Sequence, residues 1–524
     1  MVTRQSTTLM LNTGATFVRM TFTVWMGLLT ARLLLASLGA DGFGGYAVLF
    51  AAASLSAIVG DSLWNSTMTR LALELGRRDR ERLREVFNTA LVTFSVVSGL
   101  TLLTGFMLSS WITSLLNIPP SVADRAVWPL RFLVSSFAVL MLATPFKALL
   151  QAHQELTRQA LVDTVDSLGR LAIALAISLT PPNPLFWLCA LLAVHASVIA
   201  LLLASLAMRN HPEARPDLRL YRREALRRLL RFGASDVLVT GAWRIRLQGT
   251  QLLLAAAFAP ATSAAYALAV YVGMLQLNFA TALYRAVQPA ILTAEGRGDR
   301  LAVCRLVLVS GKYMVLGMLL LLVPALLEPD ALLALWLGTG RVPAGTALFT
   351  QLTVAWIAVY YLSIGYQMAA QGSEIYGAYA LWLFGVDALT LGLAAGAVLL
   401  GGLGAWVIPM IILGMTAVLT WGRAVLIGRA IDLPLREWTR RGISPVLVAV
   451  SVAVLGCLVV QHAMKPGAGR LVTICGVYPS LALPVTWLFG MEEWERMHLR
   501  RIATSTVRRV REYRHRLVAA AARS

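Results

Sequence analysis

The sequence predicts an all-α integral membrane protein with about fourteen transmembrane helices. Two six-helix lobes are expected, related by a pseudo-two-fold axis along the membrane normal, with two further C-terminal helices. Three observations lead there. First, hydrophobic residues are 58% of the 524, charged residues only 14%, and mean hydropathy is +0.71. Soluble proteins carry roughly 25% charged residues, so a bilayer is the solvent that makes this composition tenable. Second, the apolar residues fall in runs of roughly 20, the length of one crossing. Third, the first six runs are echoed by the next six at an offset of about 220 residues.

In chain order the runs lie at 10–38, 43–66, 86–110, 127–150, 159–180, 184–208, 230–258, 262–293, 302–327, 346–370, 374–400, 403–427, 443–462 and 471–490, spans 1 to 14. Residues 1–208 then form the first lobe, 209–229 a basic cytoplasmic linker and 230–428 the second lobe. Residues 429–490 carry spans 13 and 14, and 491–524 form a basic tail. The repeat shows best in polar loops. Gly45 to Leu55 aligns with Ala265 to Leu275, so Tyr46 falls on Tyr266. GRRDR from Gly76 falls on GRGDR from Gly296, and Gln151 falls on Gln371. With one residue of slip, VDSL from Val165 falls on VDAL from Val386. Six crossings per unit give both lobes the same orientation and place a substrate path between them.

The chain carries 46 Lys+Arg against 26 Asp+Glu, a net charge of +20. Most of this is topological. With the N-terminus placed inside, inner segments hold 34 cations and outer segments 4. Arginine-rich short loops stay on the cytoplasmic side, so both termini are expected there. Only three cations are lysine, a bias that suits a high-GC bacterial genome as well as phosphate recognition. The tail reads as a helix lying on the anionic inner leaflet. Nucleic-acid binding is not expected, because no folded module directs it.

Lys147, Arg231, Arg305 and Arg423, at the inner ends of spans, are counted with the inner segments; eight cations remain inside spans: Arg19, Arg32, Arg131, Arg170, Arg244, Arg246, Arg285 and Lys312. Each costs about 2.5–3.5 kcal/mol at a helix centre, so each needs water, a partner or substrate. Span 1 carries Asn12, Thr16, Arg19, Thr23 and Thr30. Span 7 carries Asp236, Thr240, Arg244, Gln248 and Gln251. Span 8 carries Asn278, Thr281, Arg285 and Gln288, and span 2 carries Ser54, Asp61 and Asn65. Steps of three and four put each set on one helix face. Neutral residues alone would suit ordinary hydrogen bonding between helices. A cation on three of the four stripes favours a hydrated central cavity. Substrate-binding candidates are therefore Arg19, Arg244, Arg285, Asn12, Thr23, Gln248, Gln251, Asn278 and Gln288. Asp61, Asp236 and Asp387 are candidates for ion coupling, with pairing to arginine as the alternative.

The other cations read differently. Arg170 follows Asp166 by one helical turn and suits a local ion pair. Arg32 is placed to snorkel, Arg131 lies near the outer end of span 4, and Lys312 points toward the inner surface. Arg246 lies about 200° around the helix from Arg244, so the two face different sides. Cations outnumber acids within the spans, which favours an anionic cargo, because guanidinium groups hold phosphate in bidentate fashion. Pro145, Pro289, Pro324, Pro409, Pro445 and Pro484 at or inside spans are hinge or bend positions.

The four cysteines have no metal or redox spacing, and the six histidines are expected to form no cluster. No metal or other cofactor is expected. No cleavable signal peptide is evident. No hydrolase elbow, phosphate loop or zinc ligand set appears, so the chain is not read as an enzyme.

Three stretches carry a family resemblance: Leu38 to Leu55, Ala282 to Arg300 and Leu332 to Gly338. They resemble bacterial polysaccharide flippases of the multidrug/oligosaccharidyl-lipid/polysaccharide exporter superfamily, over most of the first twelve spans. The resemblance implies a V-shaped two-lobed fold and alternating access. It implies flipping of a polyprenyl-pyrophosphate-linked oligosaccharide across the bacterial inner membrane, for lipopolysaccharide or exopolysaccharide synthesis. A basic residue on span 1 is part of the family pattern, and Arg19 matches it. Implied partners are the lipid-linked substrate, membrane lipids, a polysaccharide polymerase and glycosyltransferases. A peptidoglycan-precursor flippase and a cation-coupled multidrug exporter of twelve helices are the alternatives, followed by a membrane glycan polymerase or ligase.

Overall fold

The computed structural model describes residues 2–77, 79–116, 126–153, 155–179, 181–371, 373 and 375–497, without the side chains of 2–21 and a few others. Helix follows helix, and the described residues hold no strand. Spans 1 and 2 begin as one rod, Val2–Leu55, bent where Gly39 takes φ +70°, a left-handed backbone that glycine adopts cheaply. The rod breaks at Ser56 and Ala57 and resumes as Ile58–Arg77. Span 3 is Arg80–Leu115 and span 5 is Leu156–Ser178. Span 4 is Val127–Leu142 continued by Thr144–Ala152, and span 6 is Pro184–Asn210. Span 7 runs from Arg223–Arg244 through a wide turn at Ile245–Gly249 into Thr250–Ala257.

Spans 8 and 9 are Pro260–Gly296 and Arg300–Leu327. Span 10 is Thr346–Leu362 with Ile364–Gln371, bent by 47°. Spans 11 and 12 are Tyr376–Ala395, extended by Gly396–Leu400, and Val407–Ala430. Spans 13 and 14 are centred on Ser444–Ala463 and Ala468–Val485. Ten of the described helices are long and apolar enough to cross a membrane, or eleven if the bent pair of span 10 is one. Span 2 beyond Leu55 and spans 5 and 7 fall outside that group, and each carries several charged residues.

The repeat is visible in the backbone. Asp79 and Asp299 each accept a hydrogen bond from the N–H three residues on, both at 3.0 Å. The GRRDR and GRGDR loops are therefore matching N-caps. Span 4 breaks at Ala143, and span 10 breaks at the repeat-equivalent Ser363. Span 4 packs on span 6 as span 10 packs on span 12. The lobes meet where spans 1 and 2 pack on span 8, and where span 2 packs on span 7. At Gly44 a Cβ would lie 2.0 Å from the carbonyl oxygen of Pro260, so that contact requires glycine. Spans 13 and 14 pack on each other and on span 9. Leu179 and Leu400, 82% and 91% exposed, belong to the apolar outer surface that lipid would cover.

Several expectations shift in detail. Span 2 runs inward to Arg77 rather than 66, and the helix of span 7 begins at Arg223, inside the segment expected as linker. Pro145 starts the second half of span 4, and Pro409 sits in the first turn of span 12, where proline costs nothing. Pro445 follows the wide turn Thr439–Ile443 inside the continuous helix Leu435–Ala463, and Pro324 and Pro484 also lie inside helices. The side chain of Pro289 is outside the described residues. The chain between spans 6 and 7 is stitched to span 3. The Asp217 N–H donates to Asn88 Oδ1 at 2.7 Å, and the Arg222 N–H donates to Thr89 Oγ1 at 3.1 Å. Arg222 Nε donates to Glu85 at 3.0 Å.

Candidate central cavity

Three adjoining cavities, of about 300, 240 and 260 Å³, surround one side chain, Arg170. The largest lies within the first lobe and is lined by Asp61, Asp163, Asp166, Lys147 and Arg170, with Arg244 reaching in from the second lobe. The next is lined by Thr23, Thr30 and Tyr46. The third lies between the lobes and includes Gln248, Gln251, Tyr266 and Tyr271. Arg170 Nε donates to both carboxylate oxygens of Asp166, at 3.1 and 3.0 Å. His195 Nε2 lies 2.9 Å from the same carboxylate. Gly169 makes room for that ring, since a Cβ there would sit 2.2 Å from His195 Cε1. Arg244 pairs with Asp61 across the lobe boundary and lies 3.5 Å from the Ser54 carbonyl.

The second lobe holds its charges differently. Arg246 donates to Asp387, with Nε 2.9 Å from Oδ1, and to Thr416 Oγ1 at 2.7 Å. Its guanidinium lies 5.3 Å from the ring centroids of both Trp356 and Tyr360. Arg246 and Asp387 are only 3% and 2% exposed. Asp387 is the repeat partner of Asp166, so equivalent carboxylates each bind an arginine. One faces a cavity and the other is sealed in the core.

The remaining candidates are dispersed. Gln251 is buried and donates to the Ser263 carbonyl at 2.9 Å. Asp236 accepts from Tyr376 Oη at 2.7 Å. Gln288 donates to Gln371, which also accepts from Tyr284 at 3.1 Å. Asn278 is half-buried on span 8. The side chains of Asn12, Arg19, Asn65 and Arg285 lie outside the described residues. Outside the cavity, Arg32 is exposed, and Arg131 bonds Ser109 at 3.0 Å. Lys312 is buried against Glu495 at 2.7 Å, just beyond span 14, so it is enclosed rather than turned to the inner surface.

The family described as MatE matches residues 16–175. No curated protein matches the chain by sequence. An inward-facing multidrug resistance MATE family transporter of the MOP superfamily aligns with a TM-score of 0.65 at 15% identity, over 79% of this chain and 98% of its own. The lipid II flippase MurJ, in an inward closed conformation, aligns at 0.63 with 10% identity, over 92% and 98%. The chain has the MOP-transporter fold. A further MOP superfamily transporter, from Pyrococcus furiosus Vc1, aligns at 0.61 with 15% identity over 80% and 95%; its binding pocket is described as reversed in polarity.

Within this MOP fold, two features escaped the sequence reading. Arg170 was legible as the partner of Asp166, from their one-turn spacing, but not as the side chain common to three cavities. Arg423 was counted with the inner loops. It is fully buried on span 12, donating to Tyr379 Oη and Gln367 Oε1, each at 2.9 Å. Its position one turn before the end of an apolar run was the available signal. The described lining of the 300 Å³ cavity sets three aspartates against Lys147, Arg170 and Arg244.

Proposed function

We propose that the chain is a transporter that flips a polyprenyl-pyrophosphate-linked oligosaccharide across the bacterial inner membrane. Its lobes open alternately to the two sides, and both termini are cytoplasmic. The observation that carries this reading is the extent of the likeness to MurJ. That alignment covers 92% of the chain, against 79% for the MATE transporter, and so leaves room for spans 13 and 14. MurJ is described as a lipid II flippase, which supports a lipid-linked cargo. Arg170 and Arg244 at the cavity supply guanidinium groups for a pyrophosphate. Arg19 and Arg285 are further candidates on the facing stripes.

Deleting the gene tests the proposal. The lipid-linked repeat unit should accumulate on the cytoplasmic face, where mass spectrometry identifies it, and surface polymer should fall. Unchanged export in a strain without a redundant transporter would overturn the reading. A peptidoglycan precursor would instead make the gene essential.

A cation-coupled exporter is the second reading. Asp61, Asp163 and Asp166 around one cavity favour it. Vesicles loaded with a cationic dye separate the two, since only an exporter of cations would move the dye against a gradient.

A further inference from the structure

Folding creates a cluster that the sequence does not announce. His153 caps the second half of span 4, and His211 caps span 6. Their rings stack with centroids 3.8 Å apart and planes 16° from parallel. Glu213 follows in the short turn Pro212–Ala214. One ligand atom from each of the three lies within 4.8 Å of the others. His211 and Glu213 are each only 9% exposed. Nε2 of both histidines is buried without a hydrogen-bond partner. Burying an unpaired polar nitrogen is costly; His153 Nε2 has no partner here, and His211 Nε2 has only a contact with Glu155. Glu155 Oε2 lies 3.3 Å from His211 Nε2, and it also lacks a hydrogen bond.

We propose that His153, His211 and Glu213 bind a divalent transition metal of the zinc type, with Glu155 beside them. Two imidazoles and a carboxylate are a ligand set that zinc takes at about 2.0–2.2 Å. Magnesium and calcium are disfavoured, since they call for more oxygen ligands than this cluster offers. A tetrahedral ion separates its ligand atoms by roughly 3.3 Å, and nearly parallel rings do not aim their in-plane lone pairs at one point, so binding requires an imidazole to rotate out of the stack. The bound ion ties the ends of spans 4 and 6 to the start of the connection between lobes. This assignment is independent of the cargo.

The test uses the full chain, purified in detergent, stripped with a chelator and dialysed against zinc chloride. The wild type should retain one zinc per chain by elemental mass spectrometry and unfold at a higher temperature than the stripped protein. His153→Ala and His211→Ala should each lose the retained zinc and the shift, and Glu213→Gln should weaken retention. Absence of both retention and shift in the wild type overturns the proposal, whatever the variants do. So does a His153→Ala/His211→Ala double variant that keeps the same zinc. A metal-free pair held by the Glu155 contact alone would give that first result.

Discussion

Arg244 and Asp61 link the two lobes through one ion pair at mid-span, and each is open enough to exchange its partner. If the lobes alternate, this pair breaks in each cycle. Arg244→Ala should lower export by about tenfold or more at unchanged protein level, the scale of one lost charge-assisted contact. Arg244→Lys should recover only part, since ammonium is a point charge and not a fork. Full export by Arg244→Ala would remove the residue from the site. Arg246 behaves as structure. Removing one member of a sealed pair strands the other, so Arg246→Met should cost about 3–5 kcal/mol of stability. The double variant Arg246→Met/Asp387→Leu should recover most of it, read by thermal unfolding in detergent. The sequence placed Arg244 and Arg246 on opposite sides of span 7 from helix geometry alone. It could not name their partners, because Asp61 and Asp387 lie on helices whose neighbours are set by tertiary packing.

The repeat-matched polar loops were the most legible elements. Asp79 and Asp299 stand in polar loops of fixed register, and a polar match is informative where any two apolar helices look alike. Their capping follows from side-chain chemistry that is local in sequence. The contact between Gly44 and Pro260 was not legible, although Gly44 falls in a stretch that carries the family resemblance. Only the packed lobes show that its missing Cβ matters. Gly44→Ala should push spans 2 and 8 apart at that point. Spin labels on the two lobes should then report a longer distance there, and an unchanged distance would mean that the interface yields elsewhere. Gly169→Ala should displace His195 from Asp166 without moving span 5, so the His195 imidazole resonances should shift while the protein remains folded.

The whole molecule is symmetric in backbone and asymmetric in where its paired charges meet a cavity. The repeat predicted equal lobes, and helix order, caps and breaks agree with it. Yet Asp166 faces a cavity and Asp387 does not. The difference comes from aromatic packing: Trp356 and Tyr360 cover Arg246 in the second lobe, whereas the first lobe leaves its cavity unfilled. A cysteine at Thr144, on the first-lobe cavity, should react quickly with a small water-soluble maleimide. A cysteine at Thr416, beside Arg246, should react slowly. Equal rates would contradict a wet first lobe and a dry second.

The stitched connection between spans 6 and 7 bears on proteolysis. Arg215, Arg219, Arg222 and Arg223 make it, by composition, an inviting substrate for trypsin. A protease needs a run of backbone free to extend into its cleft, and here Asn88 and Thr89 hold the backbone N–H groups of Asp217 and Arg222. Digestion at this place therefore reads how often the strap lifts from span 3, rather than how many arginines it contains. Cleavage that quickens during turnover would time the lifting of one lobe's strap against the movement of the other.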